Sequence, residues 1–316
     1  MKKLISVLCL LAMFAAALLP AQAQAEQIRV GALTGPTAMG MAELLGNDAC
    51  APSIFGSADE LTPLILKGEV DLAAVPANLA ATLYNKTGGG VTALAVNVLG
   101  VLYICAYQMP EIASLEDLRG QTLYATGKGA APEYFLRYVL TRNGLDPDRD
   151  LTIEWKSEPG EVVALLNARQ SGIAMLPQPY VTAAAAQLGE GFRSALSVSQ
   201  EWERLEDGTR CTTAVVIGRT EYIRQHPAEV EAFLEQMSAS VAWVNENPAQ
   251  AAALCQELGI AKAAVAEKAI PQCNLVCITG GDMKQALSGC LGVIFDQNPK
   301  AVGGAMPGDD FYYGGE

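Results

Sequence analysis

Hydrophobic positions along the chain follow two alternating spacings. Short apolar runs rich in β-branched residues predict buried strands at IRVGAL, VDLAAV, VTALAVNV and CTTAVVIG. Segments of helical spacing lie between such runs. In ADELTPLILKG, Leu61, Leu64 and Ile65 share one face, and the glycine that follows them is suited to end a helix. Alternating strands and helices predict an α/β fold with crossover connections.

The alternation occurs twice, which indicates two lobes. After a turn capped by Ser114 we predict a helix over 132–142, the strand LTIEW, the helix EVVALLNAR and the strand IAML. Two crossings between lobes leave a cleft suited to closure around a ligand, and the tail from residue 298 is expected to be irregular and superficial. The predicted lobes are residues 26–106 with 211–316, and residues 107–210.

The first residues have the pattern of a secretory signal peptide. Two lysines precede an apolar run over 4–19, and the small-residue string AQAQA follows. A membrane anchor needs about 20 or more apolar residues without a cleavage site. We therefore predict that residues 1–25 are a cleaved signal peptide and that the mature protein is soluble and periplasmic.

The charge balance limits the class of partner. The formal net charge is -13, so nucleic acid is not expected to bind. An acidic protein still binds anions through backbone amides, so this balance does not identify a ligand. The chain is 51% hydrophobic, which suits two domains with real cores.

Cysteine and histidine usage leaves two alternatives open. Cys255, Cys273, Cys277 and Cys290 are clustered in sequence, and an oxidising compartment permits disulfides between them, but spacing does not give the connectivity. A metal site is the weaker alternative because the one histidine, His226, is remote in sequence. No G-x-S-x-G or HExxH motif occurs, so we predict no catalytic residue, metal or cofactor.

The segment GALTGPTAMG joins the first strand to the first helix. Pro36 suits the first helical turn, and the amides that follow it are expected to point unpaired into the cleft, where they would bind a carboxylate or sulfonate. An ordinary strand-to-helix turn is the alternative. The predicted contacts here are Thr34, Gly35, Pro36, Thr37, Ala38 and Met39.

The segment TGKGAAPEYFL has the same arrangement in the second lobe. Two helix starts facing one cleft would form a clamp for an anion or a dipole. The Gly-Lys-Ser/Thr ending of a nucleotide-binding P-loop is missing, so nucleotide binding is excluded. The predicted contacts are Gly127, Lys128, Gly129 and Ala130, with a solvated lysine as the alternative for Lys128.

Four further residues lie at or near strand ends. Pro76 and Asn78 open a helix, where Asn78 either donates to a ligand or caps the helix. Asn97 is either a ligand contact or a satisfied buried amide. Gln178 lies between two prolines that fix its direction, and we predict a cleft role for it. Three tyrosines could form aromatic walls or simply pack: Tyr103, Tyr134 and Tyr180.

Ordered segments along nearly the whole chain resemble the nitrate/taurine/sulfonate (NitT/TauT) class of ABC importer binding proteins. They include GALTGPTAMGMAELL, KGEVDLAAVPANLAATLYNKTGGGV, SLEDLRGQTLYATGKGAAPEYFLRYVLTRNGLDPDRD and MLPQPYVTAAAA. The resemblance implies a type II periplasmic binding fold with the ligand gripped between the lobes by the residues named above. Ala130 and Ala131 stand where sulfonate receptors often have hydroxyl residues, and Gln178 where an acid is common, so neither a sulfonate nor a cation is favoured.

The expected function is capture of a small polar or anionic organic solute by a monomer, with delivery to an ABC permease in the inner membrane. The alternative is an enzyme on the same fold, since pyrimidine- and menaquinone-pathway enzymes share it. The signal peptide argues against those cytoplasmic roles. A sensory or adhesion module would need a tether, and none is visible in the sequence.

Overall fold

A computed structural model of the protein describes residues 27–47 and 49–315. The predicted signal peptide lies outside the described residues. The strands are β1 Ile28–Leu33, β2 Cys50–Phe55, β3 Leu72–Pro76, β4 Val91–Leu99, β5 Leu102–Tyr107, β6 Thr122–Thr126, β7 Thr152–Lys156, β8 Gly172–Pro177, β9 Phe192–Ser197, β10 Thr212–Arg219 and β11 Leu275–Ile278.

The helices alternate with these strands. They are α1 Pro36–Met39, α2 Ala42–Leu45, α3 Ala58–Lys67, α4 Ala77–Thr87, α5 Ala131–Arg142, α6 Pro159–Arg169, α7 Tyr180–Leu188, α8 Val198–Glu203, α9 Thr220–Gln225, α10 Pro227–Glu246, α11 Pro248–Glu257, α12 Ala263–Ala269 and α13 Gly280–Gln297. Short 3-10 turns cover Leu115–Leu118, Ile270–Gln272, Pro299–Val302 and Asp309–Phe311.

The strands form two sheets. The first has the order β11-β4-β10-β3-β1-β2 and the second the order β7-β6-β8-β5-β9. Strands β1, β2 and β3 are parallel, as are β6, β7 and β8, while β5 and β10 run antiparallel to their neighbours. This arrangement confirms the predicted α/β fold with two lobes.

Local sequence explains most of these elements. Every residue of β4 is buried because apolar residues occupy both faces of a strand that helices cover. Helix α3 ends at Gly68 with φ of 75°, a left-handed conformation that glycine adopts without strain. The turn Leu115–Leu118 begins with a capping box between Ser114 and Asp117.

The chain changes sheet between β4 and β5, and again between β9 and β10. Strand β5 pairs with β8 and β9, so the first change occurs between Leu99 and Leu102, a few residues before the predicted boundary at Ala106. The second change falls between Ser197 and Thr212, beside the predicted boundary at residue 211. The assignment of whole domains to these ranges stays a prediction.

The C-terminal tail is more buried than expected. Val302 and Phe311 are fully buried, and the Tyr313 amide donates to the Ala93 carbonyl over 3.0 Å. Strand β11 pairs only with the stretch of β4 from Val96 to Val98, which leaves the first half of β4 without a neighbour on that side. The tail covers this edge with a few buried residues while most of its other residues lie at the surface, so the prediction of a superficial tail holds only in part.

The seven cysteines of the described chain are free thiols, so the bridges that their clustering suggested are not formed. Burial raises the pKa of Cys255 to about 11 and that of Cys273 to about 12, which keeps both thiols protonated. Within residues 27–47 and 49–315 no group of three or more metal-ligating side chains is present, and no helix has the length and hydropathy needed to cross a bilayer.

Candidate functional site

Nearly all of the predicted contact residues follow the carboxyl ends of β1, β3, β6 and β8, and Asn97 lies near the end of β4. In each sheet these ends share one edge, because β4 runs parallel to β3 and β8 runs parallel to β6. Both changes of sheet also connect these edges, since β5 and β10 begin there while β4 and β9 end there. The two edges therefore face each other across the crevice in which α/β sheets bind ligands.

The loop after β1 reaches the second lobe. Gly35 is buried with φ of 84°, and a Cβ placed on it would lie 3.8 Å from Cδ of Pro179, which follows β8. The Gly35 amide donates to the Ile260 carbonyl over 3.1 Å, and the Thr34 amide donates to Phe55 over 3.0 Å. Hydrogen bonds within the first lobe thus hold this loop beside the second-lobe segment that follows β8.

Of the α1 amides that we expected to lack hydrogen-bond partners, only one lacks a partner in the described part of the chain. The amides of Ala38 and Met39 both donate to the Gly35 carbonyl over 3.1 Å, so the prediction that they point unpaired into the cleft was wrong. A four-residue helix closes its own first turn in this way, and both side chains are buried in the first-lobe core. The Thr37 amide, by contrast, makes no hydrogen bond to the described residues.

Asn97 is 2% exposed, and only one of the two polar atoms of its side-chain amide has a hydrogen-bond partner in the described chain. Its Nδ2 donates to the Thr37 carbonyl over 2.8 Å and so holds the loop after β1. Its Oδ1 is buried and has no hydrogen-bond donor among the described residues. An unsatisfied buried acceptor costs about 1–3 kcal/mol, and a donor from a ligand would remove that cost.

Asn78 has a protein partner that neither expectation named, and its contact with a ligand stays a prediction. Its Nδ2 donates to the Ala301 carbonyl over 3.3 Å, and Asn85 of the same helix donates to Val302 over 2.8 Å. The N-cap of α4 is Pro76, so the capping alternative for Asn78 was wrong. The partner segment, residues 298–302, is called the C-terminal strap below.

In the second-lobe loop, residues 127–130, a carboxylate of the protein itself binds an amide that we expected to be free. Gly127 and Gly129 have φ of 85° and 76°, and Lys128, Gly129 and Ala130 are all exposed. The Gly129 amide donates to Oε2 of Glu133 over 2.7 Å, so the expected bare amide already has a carboxylate partner. A glutamate at the third helical position commonly accepts from the N-cap amide, and here it accepts from the amide one residue earlier; the glutamate itself is visible in TGKGAAPE.

Tyr134 links the second-lobe loop to the C-terminal strap. Its hydroxyl donates to the Gly129 carbonyl over 3.1 Å and accepts from Nδ2 of Asn298 over 2.7 Å. The strap therefore contacts α4 of the first lobe at one end and the start of α5 at the other.

Gln178 is 2% exposed and is engaged on both sides. Its Nε2 donates to Oε1 of Gln272 over 2.9 Å, and its Oε1 accepts from the Thr182 hydroxyl over 2.9 Å. The hydroxyl of Tyr103 donates to the Gln272 carbonyl over 2.7 Å, and burial raises the pKa of Tyr103 to about 12. These bonds join the second lobe to the turn Ile270–Gln272 of the first lobe. No local sequence pattern predicts this connection.

A cavity of 610 Å³ lies outside the cleft, between α5 and α13. Its walls include Tyr138, Leu145, Asp146, Val293 and Asp296. None of the predicted contact residues lines it, and its Arg137 is already paired with Asp148 over 2.9 Å. We therefore place the candidate site in the cleft, where loops from both lobes converge.

Solved structures share this architecture. That of an ABC transporter from Parabacteroides distasonis is 25% identical with a TM-score of 0.76, over 90% of this chain and 98% of the other. The periplasmic aliphatic sulphonate binding protein SsuA from Escherichia coli is 17% identical with a TM-score of 0.69, over 90% and 96%. The periplasmic nitrate-binding protein NrtA from Synechocystis PCC 6803 is 15% identical with a TM-score of 0.53, over 78% and 70%.

Comparison with curated protein sequences gives no significant match. The structural matches confirm the two-lobed fold, and with the family match below they confirm the predicted resemblance to the nitrate/taurine/sulfonate class. The profile of the NMT1-like family matches residues 37–259, which is more than half of the chain. The protein therefore belongs to the NMT1-like family.

Proposed function

We propose that this protein is the extracytoplasmic solute-binding protein of an ABC importer. It captures a small polar or anionic organic solute between its lobes and delivers it to an inner-membrane permease. The observation that carries the proposal is the approach of Gly35 to Pro179, which brings the strand-end loops of two sheets together. A solute that contacts both loops favours the closed arrangement by its differential affinity.

The similar proteins support this function. One is described as an ABC transporter, another binds aliphatic sulphonates and a third binds nitrate. The N-terminal sequence supports a periplasmic location and a cleaved signal peptide. The protein acts as a monomer and transforms nothing, since its task is completed by binding and release.

Native mass spectrometry of freshly purified protein tests the proposal. The expected result is a non-covalent complex with one small molecule, which is lost on denaturation. That molecule should then lower the radius of gyration when it is added back to stripped protein, as measured by small-angle X-ray scattering. Turnover of the molecule, abolished by replacing Asn78 or Gln178, would instead favour an enzyme on the same fold.

A further inference from the structure

A carboxylate of the protein itself, that of Glu133, lies at the start of α5. Oε2 of Glu133 accepts from the Gly129 amide over 2.7 Å, and Oε1 accepts from Nε of Arg137 over 2.9 Å. The Glu133 side chain is 12% exposed and is held from two sides. Its carboxylate therefore takes the place that the dipole of a helix start offers to an anion.

Nearby cations do not compensate for a second negative charge at this place. Arg137 also pairs with both oxygens of Asp148, over 2.9 and 3.0 Å, so its guanidinium faces two carboxylates already. Lys128 is exposed to solvent, where water and salt weaken its attraction for a ligand. An anion that approached the Gly129 amide would meet the Glu133 carboxylate at short range, and two like charges at that separation repel.

We propose that Glu133 is a specificity-determining residue that excludes anionic groups from the second-lobe side of the cleft. The inference rests on the proposed solute-binding function and narrows its solute class. The solute is uncharged where it meets the start of α5.

The first lobe favours the same class of solute. Oδ1 of Asn97 is a buried acceptor without a donor among the described residues, so it is satisfied by an N–H or O–H group. Nitrate and a sulfonate group carry no hydrogen to donate. Together the two lobes favour a solute that is uncharged where it meets the start of α5 and that carries at least one hydrogen-bond donor for Asn97.

The chain offers a matched control for Glu133. In α6, Oε2 of Glu161 accepts from the Ser157 amide over 3.1 Å, which is the same spacing of four residues at a helix start in the same lobe. Glu161 belongs to the helix that follows the edge strand β7, and it is not part of the glycine-containing loop. Removing either carboxylate costs one hydrogen bond at a helix start, and removing Glu133 also costs its ion pair with Arg137, but only removal of Glu133 frees an amide of the candidate site.

The test is calorimetric titration of methanesulfonate and nitrate into the wild type, Glu133→Ala and Glu161→Ala. We expect Glu133→Ala to bind at least one of these anions ten-fold or more tightly than the wild type, with Glu161→Ala unchanged. If Glu133→Ala does not fold, Glu133→Gln removes the charge while keeping the volume, and a smaller gain is expected. Equal affinity in the wild type and the folded Glu133 variant, including no binding by either, overturns the inference.

Native mass spectrometry separates this failure from failure of the proposed function. A solute that co-purifies with the wild type while the Glu133 variant gains no anion affinity leaves the binding function intact and removes the role of Glu133. Nitrate or a sulfonate that co-purifies with the wild type would likewise support the binding function and contradict the role of Glu133. Catalytic turnover of the solute contradicts the proposed function itself.

Discussion

Single residues of the cleft are held by partners from distant parts of the chain. Asn78 donates to Ala301 and Gln178 donates to Gln272, so each predicted contact has a protein partner that sequence spacing does not indicate. Asn97 differs because its acceptor atom is buried without a donor. Among the side chains predicted to contact a ligand, Asn97 therefore has the strongest physical reason to do so.

The two glycines of the second-lobe loop should respond differently to alanine. Both have positive φ, so alanine costs about 1–2 kcal/mol at either position. A Cβ on Gly127 would lie 2.7 Å from the ring of Pro132, whereas one on Gly129 meets nothing within 4 Å. We expect Gly127→Ala to lower the free energy of unfolding by about 1–3 kcal/mol more than Gly129→Ala, measured by urea denaturation. Equal losses would show that the loop moves freely away from Pro132.

Replacements at Asn97 should separate its donor from its acceptor. Asn97→Ala removes the bond to Thr37 together with the unsatisfied oxygen, so about 1 kcal/mol of stability should be lost. Asn97→Asp also removes the donor, and it buries a carboxylate beside the Thr37 carbonyl, so the loss should be larger. Thermal unfolding near neutral pH measures both. A more stable Asn97→Asp variant would mean that the site supplies a donor.

At the scale of secondary-structure elements, an ion cluster ties together β1, β3 and β10. The Asp71 carboxylate, just before β3, accepts from Nε of Arg29 over 2.8 Å and from Arg219 over 2.8 Å. Burial acts to raise the pKa of Asp71, but the hydrogen bonds from these arginines outweigh it and hold the pKa below its ordinary value. The cluster lies at the edge of the first sheet opposite the cleft.

This cluster predicts a pH dependence of stability. Because the pKa of Asp71 is lower in the folded state, its contribution is fully present above about pH 4 and is lost as the pH falls through the lowered value. We expect Asp71→Asn to cost about 3 kcal/mol at pH 7, and this difference from the wild type should shrink below pH 4. Urea denaturation over pH 2.5–7 checks the trend, with the range set by the ordinary carboxyl pKa of about 4. A difference independent of pH would contradict it.

The tail should contribute to the core of the first lobe. Phe311 is fully buried, and its ring centroid lies 5.0 Å from that of Tyr84 in α4. Phe311→Ala should therefore cost about 3–5 kcal/mol of unfolding free energy. Tyr180→Ala is the control, since Tyr180 is 45% exposed and should lose less than about 0.5 kcal/mol. Similar small losses in both variants would mean that the tail is only loosely attached.

At the scale of the whole molecule, both changes of sheet connect the edges that face the cleft. Helix α12 of the first lobe packs against α7 of the second, and the C-terminal strap spans from α4 to the start of α5. The two sheets are therefore joined on more than one side of the cleft. Closure around a solute has to preserve or exchange these contacts, which include the bond from the buried Gln178 to Gln272.

Local periodicity predicted much of this architecture but not its long-range contacts. The run VTALAVNV identified β4 because its burial follows from its own residues, and Gly68 and Ser114 marked helix boundaries by their conformational preferences. Strand β2 was missed because Pro52 weakens its strand pattern. A proline is tolerated there because β2 is an edge strand. The roles of Gln272 and Ala301 depend on folding that brings remote segments together.

A crystal structure of protein purified without stripping its solute tests the central claim most directly. We predict solute density between the loops after β1 and β6, within hydrogen-bond distance of the Thr37 amide and of Oδ1 of Asn97. Density confined to the cavity between α5 and α13, or a cleft filled by protein side chains in the solute-bound state, would contradict the account.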